Sequence, residues 1–358
     1  MTKPDISIIL CVYNGESFLR EALDSIVGQS FINWECILID DCSEAPAREI
    51  LAEYAAREER IRLFRNEENR GLQYSLNRAL KEARGKYMVR TDADDVCRSD
   101  RLEKQFDFME AHPEISISCC KPFLWKDGKT VPAPISRRGD PDSVRAMFLF
   151  FNPICHPGVI ARLSEVREFL YHEAFTCSED LKLWTDMLCA GRRFAVQDEY
   201  LLLYRVHGGQ VTAATGGAQR EQYARIISGM YTKLLFPPSA EETEFQTEGV
   251  YFRERADVKR LCRWLKKIRQ ANKETGNFQR KSVRYACFEI LWEYRRAGVS
   301  ALRLIAPLCG LNPIYAAAEL TRMRRRRAQD EKRRAAGAAA FGFKSVPAQV
   351  GKGEVFGR

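Results

Sequence analysis

The chain has 358 residues and a net charge of +9, with 45% apolar and 29% charged side chains. That balance supports a buried core and excludes a fibrous or wholly disordered chain; the length suits about two domains at roughly 150 residues each. No run of about 18 uninterrupted apolar residues occurs, so no clear membrane-spanning helix is expected. The best apolar stretch, 302–320, is broken by Arg303, Pro307, Gly310, Asn312 and Pro313.

In chain order, Ile6 to Val12 is an apolar run of the length of a strand buried on both faces. Leu19, Ala22, Leu23 and Ile26 then recur at helical spacing. Trp34 to Ile39 reads as a second strand ending on Asp40-Asp41, Glu44 to Glu58 as a charged helix, and Ile61 to Phe64 as a third strand. Gly71 to Ala83 places Leu72, Leu76, Ala79, Leu80 and Ala83 on one helical face. Lys86 to Arg90 is a fourth strand and runs into Thr91-Asp92-Ala93-Asp94-Asp95. The alternation predicts an α/β fold, a doubly wound and mostly parallel sheet flanked by helices. Ligands of such sheets sit beyond the carboxyl ends of the strands. Tyr13-Asn14, Asp40-Asp41 and Asp92 to Asp95 all fall at such ends.

Arg98 to Ala111 is expected as a helix, 115–119 and 153–161 as strands, 180–190 as a helix and 200–206 as the last strand. The Gly, Ala and Thr-rich stretch 208–217 marks a boundary. Three segments follow: an α/β domain over 1–215, a helical basic extension over 216–334, and a disordered Ala/Gly-rich tail over 335–358. Charge divides similarly. Residues 251–358 carry 26 Lys and Arg against 9 Asp and Glu, a net of +17; the preceding 250 carry 31 against 39, a net of −8. The twelve cysteines include no Cys-x-x-Cys pair, which disfavours a thiolate zinc site. With no secretory signal in the first residues, reduced thiols in a cytoplasm are expected.

The acidic strand ends carry the chemistry. Asp92-Ala93-Asp94-Asp95 is an oxygen-ligand set for a hard divalent ion, Mg²⁺ or Mn²⁺, that would bridge to phosphates. The same tetrapeptide also suits a solvated turn whose carboxylates cap the next helix. No Gly-x-Gly-x-x-Gly follows the first strand and no Gly-x-x-x-x-Gly-Lys occurs, so backbone phosphate cradles are disfavoured. Glu179-Asp180 opens a helix that contains Trp184, where a carboxylate serves as a helix-start residue or as a general base. His156 and His207, two of only four histidines, lie beside Pro157 and Gly208.

Together these residues resemble the family 2 glycosyltransferases, nucleotide-sugar enzymes of the GT-A fold. The resemblance spans about residues 5 to 212. It rests on Ser7 to Gly15, Ile39-Asp40-Asp41-Cys42-Ser43, Asn69-Arg70-Gly71 with Asn77, Thr91 to Asp95, His156-Pro157, Glu179-Asp180 with Trp184, and Tyr204 to His207. Their order and spacing make the set specific. Cys11 departs from it, standing where Pro is usual.

The resemblance implies that Tyr13, Asn14 and Asp41 bind the donor nucleotide, with Asp92 toward ribose and metal. Asp94 is implied as metal ligand, His207 as a further metal or diphosphate contact, and Asp180 as catalytic base. His156, Glu179 and Trp184 are placed about the acceptor. The implied activity is metal-dependent, inverting and non-processive transfer of a sugar, with a UDP-sugar favoured, to a hydroxyl of a glycan or lipid-linked glycan. A catalytically silent member that binds nucleotide-sugars or acts as a scaffold is the alternative. Arg260-Leu261-Cys262-Arg263-Trp264 resembles the Gln/Arg-x-x-Arg-Trp signature of polymer-making relatives, here without membrane helices around it. The basic cluster at Arg322, Arg324 to Arg327 and Lys332 to Arg334 suits an anionic membrane surface, giving a cytoplasmic, peripheral protein. No nucleic-acid partner is expected, since the body is acidic and aromatic residues do not interleave with basic ones.

Overall fold

The computed structural model of the chain describes residues 3–126, 129–133, 139–207, 216–253, 257–296 and 299, with 318, 321 and 341 singly. Four parallel strands open it: β1 (Ile6–Val12), β2 (Trp34–Asp40), β3 (Ile61–Arg65) and β4 (Tyr87–Arg90). They are linked by α1 (Glu16–Val27), α2 (Ala45–Arg57) and α3 (Leu72–Glu82). The apolar runs of β1 and β2 are buried on both faces because helices cover both sides. Gly85 allows β4 to lie close to β1: a Cβ there would stand 2.7 Å from the backbone nitrogen of Ser7.

The second half of the sheet is mixed. It comprises β5 (Val96–Cys97), β6 (Ile117–Lys126), β7 (Lys129–Pro132), β8 (Val159–Arg162) and β9 (Phe194–Arg205), with α4 (Arg101–Ala111), α5 (Pro141–Met147), α6 (Leu163–Arg167) and α7 (Glu179–Cys189) between them. The strand order is β3-β2-β1-β4-β8-β6-β9-β5, with β7 on β6. β8 is antiparallel to both β4 and β6, β9 is parallel to β6, and β5 is antiparallel to β9. Parallel pairing, expected to dominate, thus holds throughout the first half, and in the second half it holds for β6 with β9 while the other pairs are antiparallel. The strand expected over 153–161 is confined to its end. Pro153 and Pro157 lack N–H donors, and His156–Gly158 forms a 3₁₀ turn instead.

Beyond β9 come α8 (Gly216–Leu234), α9 (Ala240–Glu244), a π-helical turn (Phe245–Tyr251), α10 (Val258–Thr275) and α11 (Arg280–Arg296). Their apolar residues, including Tyr223, Tyr231, Leu261, Trp264 and Phe288, join the same core as Ile9, Leu76, Met147 and Trp184. A second core lies under α1, α2 and α4. Trp264 of the Arg-x-x-Arg-Trp sequence is 4% exposed, stacks on Tyr231 and donates from Nε1 to Gln246 Oε1 at 2.7 Å. Among the described residues no helix is long and apolar enough to cross a membrane. Residues 208–215, the stretch 302–320 apart from Ala318, the cluster 322–334 and all of 335–358 but Phe341 lie outside the described residues.

Candidate active site

Because β2, β1 and β4 are adjacent and parallel, the residues that follow them gather on one edge. After β1, Tyr13 is 56% exposed, while Asn14 adopts a positive φ of 57°. Asn14 Oδ1 accepts from the Glu44 N–H at 2.9 Å, and its own N–H donates to Ser43 Oγ at 2.9 Å, fastening this loop to the start of α2. Asp41 is buried. Its Oδ1 accepts from Asn66 Nδ2 (2.5 Å) and the Arg70 N–H (2.9 Å), and its Oδ2 from the Gly71 N–H (2.9 Å). Gly71 supplies the φ of 84° that this turn requires.

The turn after β4 concentrates negative charge. The buried Arg90 guanidinium grips Asp92, with Nη1 at 2.5 Å from Oδ2. Asp94 Oδ2 lies 2.8 Å from His207 Nε2. Asp95 is buried; Oδ1 accepts from the Arg205 N–H at 3.0 Å, and Oδ2 is buried without a hydrogen-bond partner. Burial raises the pKa of Asp92 and Asp95; Asp94 adds to this for both, and Arg90 opposes it. Beneath the turn the Arg101 guanidinium, fully buried, donates to the Arg90 carbonyl (2.8 Å), Gln105 Oε1 (2.9 Å) and Cys97 Sγ (3.2 Å).

Donor oxygens of Asp92, Asp94 and Asp95 all lie within 4.8 Å of one another. Three hard oxygen donors, one of them buried and unpartnered, fit Mg²⁺ or Mn²⁺ better than a softer ion. His207 is next to this group through Asp94, and its ring packs on Phe18 with centroids 5.0 Å apart.

The second acidic group opens α7. Asp180 Oδ1 accepts from the Leu181 N–H at 2.7 Å, and Oδ2 from Asn152 Nδ2 at 2.8 Å. Burial raises its pKa, while those two donors and Arg90 hold it down. Glu179 is pushed up to about 7 by burial and then by Asp180. Its Oε1 lies 3.8 Å from His156 Nδ1, and His156 Nε2 lies 2.8 Å from the Tyr171 hydroxyl. His156 is buried and its pKa is driven well down by burial and Arg90, which favours the neutral ring. Trp184, expected at the acceptor, is fully buried and packs edge-on against His156.

The sequence of residues 7–159 matches Glycosyl transferase family 2. An uncharacterized glycosyltransferase of Methanocaldococcus jannaschii is 30% identical over 213 residues, covering 58% of this chain and 72% of that protein. Another, from Haemophilus influenzae, is 31% identical over 235 residues, covering 62% and 72%. The chain belongs to glycosyltransferase family 2. Among solved structures, S. aureus TarS 1–349 in complex with UDP superposes with a TM-score of 0.55 at 20% identity, covering 82% of this chain and 89% of that one, which shows a shared GT-A-type fold.

In this family 2 glycosyltransferase the structure brings Asp92, Asp94 and His207 together at one edge and Glu179, Asp180 and His156 together at α7. Arg90 ties the two groups electrostatically: it bears on Asp92, His156, Glu179 and Asp180 alike. Three residues that complete the arrangement, Arg90, Arg101 and Asn152, carry no distinguishing signal in the sequence. Asp95 stood inside the acidic tetrapeptide and was legible there. Arg90 ends β4 and Arg101 begins α4, positions where a single arginine is unremarkable. Asn152 lay in a segment with no periodic pattern.

Proposed function

We propose that this glycosyltransferase moves a sugar from a nucleotide-sugar, with UDP as the favoured nucleotide, to a hydroxyl of a glycan or lipid-linked glycan. The observation that carries this reading is the cluster of Asp92, Asp94 and Asp95 donor oxygens at the strand tips, on the same sheet edge as the exposed Tyr13. The UDP and UDP-GlcNAc complexes of TarS, a protein of the same fold, support the choice of nucleotide.

Tyr13 and Asp41 border the nucleotide base, Asp41 by holding the Asn66–Gly71 loop in shape, and Asp92 borders the ribose. Asp92, Asp94 and Asp95, with His207 beside them, would hold Mg²⁺ or Mn²⁺. Such an ion, when bound, stabilises negative charge on a diphosphate leaving group. Arg90 keeps the acidic turn from repelling itself apart. At α7, Asp180 takes the acceptor proton, worth about 10²–10⁴-fold in rate. The acceptor oxygen bonds to the anomeric carbon as the bond to the phosphate oxygen breaks, and the electron pair leaves with the nucleoside diphosphate. One such displacement inverts the anomeric centre. His156 and Glu179 back Asp180, and Trp184 packs behind them. The burial of Trp264 in the core supports addition of one or a few sugars in place of a polymer. The basic cluster at 322–334 is assigned to an anionic membrane surface, which flotation with anionic liposomes tests against a truncation before Ala301.

The test is Asp180→Asn. Transfer is expected to fall by about 10²-fold or more with donor affinity kept, and the wild-type product is expected to carry the inverted anomer. Near-normal turnover of Asp180→Asn, or a retained anomer, contradicts the reading.

A further inference from the structure

Asp180 depends on chain that lies far from it in sequence. Its Oδ2 accepts from Asn152 Nδ2 at 2.8 Å, and Asn152 Oδ1 accepts in turn from the Ile154 N–H at 3.1 Å, so the amide orientation is fixed from both ends. Asn152 precedes Pro153, which restricts its backbone to extended conformations. The three residues before it, Leu149 to Phe151, lie beyond the end of α5, whose last carbonyls, of Ala146 and Met147, accept from the N–H groups of Leu149, Phe150 and Phe151. The carbonyls of Leu149 and Phe150 are taken up instead by the C-terminal helices. The Tyr231 hydroxyl donates to the Leu149 carbonyl at 2.6 Å; the Tyr223 hydroxyl (3.3 Å) and Gln246 Nε2 (3.4 Å) donate to that of Phe150. Gln246 is itself held by Trp264 Nε1 at 2.7 Å. Tyr223, Tyr231, Gln246, Leu149 and Phe150 are all buried, so these bonds are shielded from water.

We infer that Asn152 is a positioning residue for the base Asp180, and that α8 and the π-helical turn act as a clamp that holds it in place. The helices beyond residue 215 are then part of the transfer machinery. This inference rests on Asp180 being the base. The clamp explains why a segment with few sequence signals presents one amide at one carboxylate. It also gives a function to the buried Trp264, which secures Gln246.

The charged and titratable groups that face Asp180 are Glu179 on α7, Arg90 from β4, Tyr171 before α7 and Tyr251 of the π-helical turn. Of these Arg90 favours the carboxylate, and Asp180 in turn pushes Glu179 upward. The Asn152 amide adds to the side of the carboxylate, so its removal shifts Asp180 upward.

The experiment compares wild type, Asn152→Ala, Tyr231→Phe and Asp180→Asn in the full-length protein, following transfer rate against pH, donor KM and thermal unfolding. Asn152→Ala is expected to lower kcat by about 10²-fold, as a misplaced catalytic group does, with donor KM within about twofold. The acid limb of kcat is expected to move to higher pH. Tyr231→Phe, which removes one hydroxyl, is expected to move the limb the same way by less. A purely structural role would leave the limb where it is. An unmoved limb in both variants overturns the inference, as does a kcat for Asn152→Ala within about twofold of wild type while Asp180→Asn is inactive. Should Asp180→Asn itself turn over normally, the assignment of the base fails instead.

Discussion

His207 Nε2 lies 2.8 Å from Asp94 Oδ2, joining residues 113 positions apart. The two-residue strand β5 makes this possible. It pairs antiparallel with β9, Val96 opposite Leu203, and so brings the end of β9 back to the acidic turn. Arg205 adds two bonds to that turn, through its N–H to Asp95 Oδ1 and through Nε to the Asp94 carbonyl at 2.9 Å. The acidic turn is thus held on one side by Arg90 and on the other by the end of β9.

Asp94 and His207 are expected to differ in weight. Asp94→Ala removes a hard oxygen donor, and Mn²⁺ binding by calorimetry should become undetectable. His207→Ala should weaken Mn²⁺ binding about 10–100-fold, as loss of a supporting partner does. Equal Mn²⁺ affinity in wild type and Asp94→Ala would show that the cluster is no metal site.

Glu179 makes stability fall with pH. Its folded pKa, about 7, is above its ordinary value, so the folded state holds the proton more tightly than the unfolded chain. The resulting stabilisation is complete below about pH 4 and is lost as pH rises through about 7. Glu179→Gln removes that dependence. The variant and wild type should unfold alike at pH 4, and the variant should be the more stable at pH 8, by on the order of 2 kcal/mol. Denaturant titrations at the two pH values measure this; a variant less stable at pH 8 contradicts it.

Arg101 is a fully buried cation whose donors go to the Arg90 carbonyl, Gln105 and Cys97. Truncation opens a cavity and strips a buried carbonyl of its partner. Arg101→Ala should cost more than about 3 kcal/mol of unfolding free energy, read from urea midpoints. A cost below about 1 kcal/mol would mean that water replaces the guanidinium.

Much of this was legible in the sequence. The runs of β1, β2 and β4 and the 3.6-residue spacing of α1 and α3 are strong because helices cover both faces of that half of the sheet. The acidic strand tips followed from the same alternation. The second half was harder to read. β5 is two residues long, α5 and α6 are short, and the two prolines at 153 and 157 interrupt what looked like a strand. In β9 the pair Asp198-Glu199 hid the start of a longer strand. Helices beyond residue 215 were expected as a basic extension. Their tyrosines and Trp264 lie in the catalytic core because each helix turns one apolar face inward, and hydropathy along the chain does not show which surface that face meets.

Trp264 gives a further test. Trp264→Phe keeps the ring and loses the bond to Gln246, leaving a buried oxygen unpaired at a cost of about 1–3 kcal/mol. Stability should fall while the distribution of product lengths stays the same. Shorter products from a stable variant would place Trp264 in contact with acceptor.

The account stands most directly on one titration: UDP binding measured calorimetrically with Mn²⁺ and again with excess EDTA, in wild type and in Asp94→Ala. It predicts tight binding for wild type with Mn²⁺ and at least about tenfold weaker binding in the other three cases. UDP that binds equally well in all four would contradict it.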